Sequence, residues 1–301
     1  MAERLEDMEQ NRGPRVGLAL SGGGARCLAH IGVLKVIERA GIPVHFLAGT
    51  SMGGLIAAAY AAGMSPDELE RESVAATHRD RMVSLADPGL GQGGLIGGER
   101  LLRYFERLLG ARTFSDMRIP LALVAVDLES RQQVVLQEGP VAFAVRATTS
   151  VPGLFAPVEA GGRRLVDGGV LNNLPVDVVR QMGAEIAIGV DVGTNHGTGA
   201  AHGSGARPGV PGGLSHALEV LDDTMGAMLG AIQDEILRRS PPDVWIQPEI
   251  PAEINAIAGY HRVSELIAIG ERATEARLSD ITQLLRPTAG PSGVSDTNTP
   301  A

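Results

Sequence analysis

Between residues 44 and 64 the chain has no Asp, Glu, Lys or Arg, and no other stretch narrows its folding options as far. About 20 uncharged residues could cross a bilayer as one helix. This run is interrupted by His45, Thr50, Ser51 and the glycines at 49, 53 and 54, which suits a membrane span poorly. It divides better into a strand at 44–47, buried on both faces, and a helix of small residues at 55–62. The joint, Ala48-Gly49-Thr50-Ser51-Met52-Gly53-Gly54, has the G-x-S-x-G form of a nucleophile elbow, a strand-to-helix turn so sharp that only small residues fit beside the serine. Alone, the pattern is common.

The same plan occurs once before it. Residues 15–20 (RVGLAL) read as a strand, Ser21-Gly22-Gly23-Gly24-Ala25-Arg26 as a glycine turn, and residues 27–40 as a helix ended by Gly41-Ile42-Pro43. Successive strand-helix units imply a mostly parallel sheet with helices on its faces and right-handed crossovers. Further along, Ser65-Pro66-Asp67-Glu68 is a helix start with the elements of a capping box. Residues 87–98 are glycine-rich yet carry Leu90, Leu95 and Ile96, which suits a mobile loop or a lipid-contacting flap, and a helix at 99–109 follows. Strands are expected at 121–126, 134–136, 164–166, 185–190 and 243–246, and helices from 139–140 to 147, after Asn172-Asn173-Leu174-Pro175, and at 261–285. Leu214, Leu218, Leu221, Met225, Met228, Ile232 and Ile236 recur at steps of three and four, the stripe of a long amphipathic helix. The expected organisation is a disordered lead at 1–13, one domain at 14–285 containing a flexible loop at 193–213, and a disordered tail at 286–301.

Composition removes several function classes. With 44% hydrophobic residues in 301 the chain can bury a large core. A formal charge of −9 argues against a nucleic-acid partner and against a polybasic membrane anchor. The single cysteine, Cys27, excludes an internal disulfide, and residues 1–10 have no signal-peptide core, so a cytoplasmic location is expected. His196 and His202 lack a Cys, Asp or Glu at ligand spacing, and no metal or cofactor is expected.

A serine hydroxyl needs a base and donors aimed at the oxyanion that forms on attack. Gly22, Gly23 and Gly24 stand between strand and helix, where unpaired backbone N–H groups can reach the space above the sheet. A dinucleotide loop is the competing reading, but Cys27 occupies its third small position and the nearest acidic residue, Glu38, lies inside the first helix. A P-loop would need a Gly-Lys-Ser/Thr ending, which is missing. For the base, none of the seven histidines is expected in a turn at a strand end. Asp167 is, followed by Gly168-Gly169, and its alternatives are catalysis or turn capping.

Taken together, Gly22-Gly23-Gly24-Ala25-Arg26, Gly49-Thr50-Ser51-Met52-Gly53, Ser150-Val151-Pro152-Gly153-Leu154-Phe155-Ala156-Pro157 and Asp167-Gly168-Gly169 resemble the patatin-like phospholipases, in particular bacterial members related to the esterase domain of neuropathy target esterase. The likeness spans residues 15–192. It implies a three-layer α/β/α fold and a dyad without histidine: Ser51 as nucleophile, Asp167 as base, Gly22 to Gly24 as oxyanion hole, with Arg26, Gly49, Gly53 and Gly168 in support. The implied substrates are (lyso)phospholipids or acyl esters, with peripheral membrane contact and no set oligomeric state. Such proteins usually have Gly where Cys27 stands, so a shifted oxyanion loop is one expectation. A Ser-Asp-His triad and a non-catalytic regulatory protein keeping the fold are the readings set against this one.

Overall fold

In the computed structural model residues 13–76, 87, 89, 93–193, 212–251, 253–254 and 258–286 are described, side chains at 212–223, 225 and 258 excepted. The strands are β1 (Val16–Leu20), β2 (Phe46–Thr50), β3 (Gly94–Ile96), β4 (Leu121–Asp127), β5 (Gln132–Leu136), β6 (Gly153–Phe155), β7 (Val158–Ala160), β8 (Arg163–Asp167), β9 (Ile186–Val190) and β10 (Val244–Ile246). The helices are α1 (Ala29–Arg39), α2 (Ser51–Ala61), α3 (Pro66–Ala76), α4 (Glu99–Leu109), α5 (Val141–Thr148), α6 (Val176–Gln181), α7 (Gly212–Arg239), α8 (Val263–Glu275) and α9 (Leu278–Leu284). The expected lead, loop and tail fall almost wholly outside the described residues. No helix among the described residues is long and apolar enough to cross a membrane.

The main sheet runs β10-β9-β1-β2-β4-β8-β7, with β5 also on β4. From β10 to β4 every pairing is parallel. Pairing with β5 and β8, and of β8 with β7, is antiparallel. Alternation along the strands divides the core into two layers. Leu18, Leu20, Leu47, Leu121, Leu123, Ile186 and Ile188 face one side, with α1, α2 and α8. Ala19, Ala48, Ala122 and Ala187 face the other, where α6 and the end of α7 pack. Large residues on one face and alanines on the other give a three-layer α/β/α body.

Several boundaries differ from those expected. β2 runs on to Thr50, and α2 begins at Ser51 rather than at Leu55, so no loop separates strand from helix. The expected 27–40 helix opens with a 3-10 turn, Gly24–Leu28, before α1. The expected last helix is two, α8 and α9. Ser65 and Glu68 do form the capping box, Glu68 N–H to Ser65 Oγ at 3.3 Å and Ser65 N–H to Glu68 Oε2 at 2.8 Å. Along the described part of the α7 stripe Met228 is 60% exposed and Ile232 and Ile236 are half-buried, while Gln233 and Leu237 are buried. Gln233 Oε1 accepts from the Asn173 and Leu174 N–H groups at 2.8 and 3.1 Å.

α1 and α8 cross closely because each has a glycine at the contact. A β-carbon on Gly270 would stand 1.9 Å from the Ala29 carbonyl oxygen, and one on Gly32 2.0 Å from that of Ile267. Gly270→Ala is therefore expected to cost ~2 kcal/mol and lower the melting temperature by about 5 °C. Calorimetry checks this; an unchanged melting temperature would contradict the close crossing.

Candidate active site

β1 and β2 pair in parallel, Leu20 beside Gly49, so the turns that follow them emerge side by side at one sheet edge. That end of an open parallel sheet is where ligands bind. Ser51 is buried at 8% exposure and has φ of 55°, a left-handed conformation unusual outside glycine. Such strain costs on the order of 1–3 kcal/mol and is held by its surroundings. Here the surroundings are specific: the Ser51 N–H donates to Thr148 Oγ1 at 2.9 Å, and Thr148 Oγ1 donates to the Val124 carbonyl. Thr50 Oγ1 donates to the Asn172 carbonyl at 2.9 Å. Gly53 is required because a β-carbon there would lie 2.2 Å from the Ser21 carbonyl oxygen, and at Gly49 one would lie 2.7 Å from Gly54 Cα.

Asp167 reaches Ser51 through β4. That strand pairs with β2 from Leu121 to Val124, and with β8 from Ala125 to Asp127. Since β5 pairs with β4 over Leu123 to Asp127, β2 and β8 must share the opposite edge. They approach from opposite directions and end on neighbouring positions: Thr50 beside Val124, Asp167 beside Ala125. The two chain ends thus meet head to head, and the Ser51 hydroxyl donates a hydrogen bond to the Asp167 carboxyl. Gly168 then turns past the Val124 carbonyl oxygen, where a β-carbon would be 2.3 Å away.

Burial pushes the Asp167 carboxyl up to about 6, against the pull of hydrogen bonds from Ser51 and the Gly169 N–H, the latter at 2.8 Å to Oδ1. Asp167 is 5% exposed, so water does little to offset this. No histidine bonds to either residue among the described residues. His30 is fully buried, its Nε2–H donates to the Ser21 carbonyl at 2.9 Å, and burial pulls its pKa down to about 4, so it is neutral at pH 7. His45 Nδ1 accepts from the Val16 N–H, away from the site. His261 is exposed. His78, His196 and His202, and the His216 side chain, lie outside the described residues.

The glycine loop follows β1 directly, and its amides are not equivalent. The Gly22 N–H donates to the Asn173 carbonyl at 3.2 Å, and Asn173 Nδ2 donates to the Gly22 carbonyl at 3.3 Å. Gly22 therefore anchors the loop, and its amide is engaged; Gly23 and Gly24 are the loop amides without a protein acceptor among the described residues. The Arg26 N–H closes the turn onto the Gly23 carbonyl at 3.2 Å. The Cys27 thiol is fully buried, pushed up in pKa by that burial, and Sγ–H donates to the Ser21 carbonyl at 3.4 Å.

A cavity of about 530 Å³ opens from Ser51 between α2, α3 and α4. Its walls are mostly Leu, Ile, Met, Ala and Phe, including Leu55 and Ile56 of α2 and Phe105 of α4, and Glu72 is the one charged residue among those lining it. Sequence reading missed this cavity, since it is assembled from five separate segments: 24–28, 51–76, 96–108, 149–155 and Tyr260. It also missed the end of α5, where Thr148 holds the Ser51 amide and the Ser150 carbonyl accepts the Asp167 N–H at 2.9 Å. The Thr-Thr-Ser run breaking the helical pattern was the available signal.

The fold and this site define an α/β protein with a strained serine and a buried aspartate at the mouth of an apolar cavity. The model of the patatin-like phospholipase family matches residues 18–180, and the chain belongs to that family. It is 36% identical over 179 residues to an uncharacterised NTE-family protein of Mycobacterium bovis, covering 60% of this chain and 49% of that one. It is 35% identical over 188 residues to patatin-like phospholipase domain-containing protein 6 of Homo sapiens, covering 60% of this chain and 14% of that one. The chain thus spans about half or less of these relatives. Among solved structures, VipD from Legionella pneumophila aligns with a TM-score of 0.48 at 12% identity, over 90% of this chain and 67% of that one.

Because the Asp167 pKa is raised on folding, the ionised carboxylate opposes folding. The cost is absent below about pH 4 and complete above about pH 6, where it amounts to on the order of 3 kcal/mol. Asp167→Asn is expected to melt at or above the wild-type temperature at pH 7.5, with the advantage gone at pH 4. Thermal scans at both pH values check this; a variant clearly less stable at pH 7.5 would contradict the raised pKa.

Proposed function

We propose that the chain is a serine esterase that hydrolyses carboxylic ester bonds of (lyso)phospholipids or simpler acyl esters through an acyl-enzyme. The observation that carries this reading is a serine, hydrogen-bonded to a dry carboxylate, opening directly onto an apolar cavity. Asp167, ionised above about pH 6, takes the Ser51 proton as Oγ attacks the ester carbonyl carbon. The carbonyl becomes an oxyanion facing the Gly23 and Gly24 amides and the positive end of α2. On collapse, the proton moves from Asp167 to the departing alcohol or lysolipid oxygen. Water, deprotonated by Asp167, then attacks the acyl-Ser51 ester; on collapse the proton passes from Asp167 to Ser51 Oγ and the fatty acid leaves. The apolar walls suit an acyl chain, since each buried methylene contributes about 0.8 kcal/mol.

Peripheral membrane contact is supported by the rim. Val151 lines the cavity and is 40% exposed, and Leu95, next in sequence to the lining residue Ile96, is 65% exposed. Apolar side chains exposed at a cavity mouth suit a lipid surface.

A fluorophosphonate probe followed by peptide mapping tests the reading: Ser51 carries the label in the wild type and none appears in Ser51→Ala. Label elsewhere, or no label, would overturn it. The acid limb of kcat/KM for a soluble ester is expected to fall with a midpoint near pH 6, the ionisation of Asp167. A midpoint near pH 4, or a rate insensitive to Asp167→Asn, would point to a different base.

A further inference from the structure

Arg146 is 4% exposed, and among the described residues it forms no ion pair; burial pulls its pKa down, with Asp87 and Glu99 acting against this. A guanidinium held this way is costly unless each of its N–H groups finds an acceptor. Here the fork reaches separate parts of the chain. Nε–H donates to the Gly98 carbonyl at 3.2 Å and Nη2–H to the Gly97 carbonyl at 2.9 Å, both in the glycine-rich segment over the cavity. Nη2–H also donates to the Ala156 carbonyl at 2.9 Å, just past β6. Nη1–H donates to Ser150 Oγ at 2.5 Å, and the guanidinium lies 5.5 Å from the centre of the Phe155 ring.

Ser150 carries the connection onward. Its hydroxyl donates to the Arg146 carbonyl at 2.8 Å, and its own carbonyl accepts the Asp167 N–H at 2.9 Å. Two residues earlier on the same element, Thr148 holds the Ser51 amide. On the other side of the fork, residues 97–98 lead into α4, whose first amides are capped by Asp87: the N–H groups of Gly98, Glu99 and Arg100 donate to its carboxylate at 3.1, 3.2 and 3.3 Å. Ile96, Leu154 and Phe155, carried by the β3–β6 pair that Arg146 fastens, line the cavity beside Ser51.

We propose that Arg146 is a positioning residue that joins the segment at 94–98 to the Ser51–Asp167 pair, so that seating of an acyl chain beneath that segment and alignment of the base are one coupled event. This rests on the function proposed above. Arg146 acts through geometry rather than charge: burial raises the pKa of Asp167, Ser51 and the Gly169 N–H act against that rise, and Arg146 is not among the causes. A displacement of about 1 Å at a reacting group costs up to 100-fold in rate. A lysine keeps the charge but cannot serve three segments at once.

The test is a double-mutant cycle with Arg146→Lys and Gly98→Ala in the full chain. The second variant leaves Arg146 in place but puts a β-carbon 2.1 Å from its Nη2, at a residue with φ of 89°. Each is expected to lower kcat for a soluble ester and the fluorophosphonate labelling rate of Ser51 about 10- to 100-fold, with KM changed less and the acid-limb midpoint unmoved. The double variant is expected to match the worse single variant, because both break one linkage. Amide exchange in Arg146→Lys should rise together at 93–98 and 163–169. Ser150→Ala, a small change that removes the Nη1 acceptor and the hydroxyl's own bond to the Arg146 carbonyl, serves if either variant does not fold. Wild-type labelling rates in the variants, multiplying losses in the double variant, or faster exchange at 93–98 alone would overturn the linkage while leaving the esterase reading intact. Failure of the wild type to label at Ser51 would instead remove that reading.

Discussion

The site depends on two strand ends meeting on one edge of β4. β2 approaches with its parallel register and β8 with its antiparallel one, and they stop at Val124 and Ala125. Neither residue of the pair could be brought there by its own local sequence. The strained φ of Ser51 and the turn at Gly168 follow from the crowding where the ends meet, and the Val124 carbonyl is the common neighbour: it accepts from Thr148 and bars a side chain at Gly168. The antiparallel strands on an otherwise parallel sheet are thus the means by which an aspartate more than a hundred residues away in sequence becomes the partner of the elbow serine.

Under the proposed function, burial at this junction trades stability for reactivity. A carboxylate in water is too weak a base to take a serine proton; enclosing Asp167 moves its pKa toward neutrality at the expense of the fold. The surrounding groups keep the site free of competing charge. His30 is neutral and occupied with the Ser21 carbonyl, and the Cys27 thiol is protonated against the same oxygen. Three groups, Gly53, Cys27 and His30, therefore converge on one carbonyl at the base of the glycine loop.

Much of this was legible in the sequence because it is local. The elbow, the glycine turn, the capping box at Ser65 and the Asp-Gly-Gly turn are each spelled by adjacent residues whose backbone requirements are short-range. What sequence did not reveal was long-range. The occupied amide of Gly22 depends on Asn173, the burial of Gln233 on the 173–174 backbone that it binds, and the cavity on α2, α3 and α4 closing around one space. Arg146 was invisible for the same reason: within α5 it is an ordinary helical arginine, and only the return of residues 97–98 and 156 supplies its acceptors.

The account turns on Asp167 being a dry carboxyl whose proton is exchanged near neutrality. Difference infrared spectroscopy across a pH titration, wild type against Asp167→Asn, reads that directly. A protonated-carboxyl stretch that belongs to Asp167 and disappears with a midpoint near pH 6 is the expected result. A band that has already vanished by pH 4 to 5 would show a solvated aspartate and contradict the account.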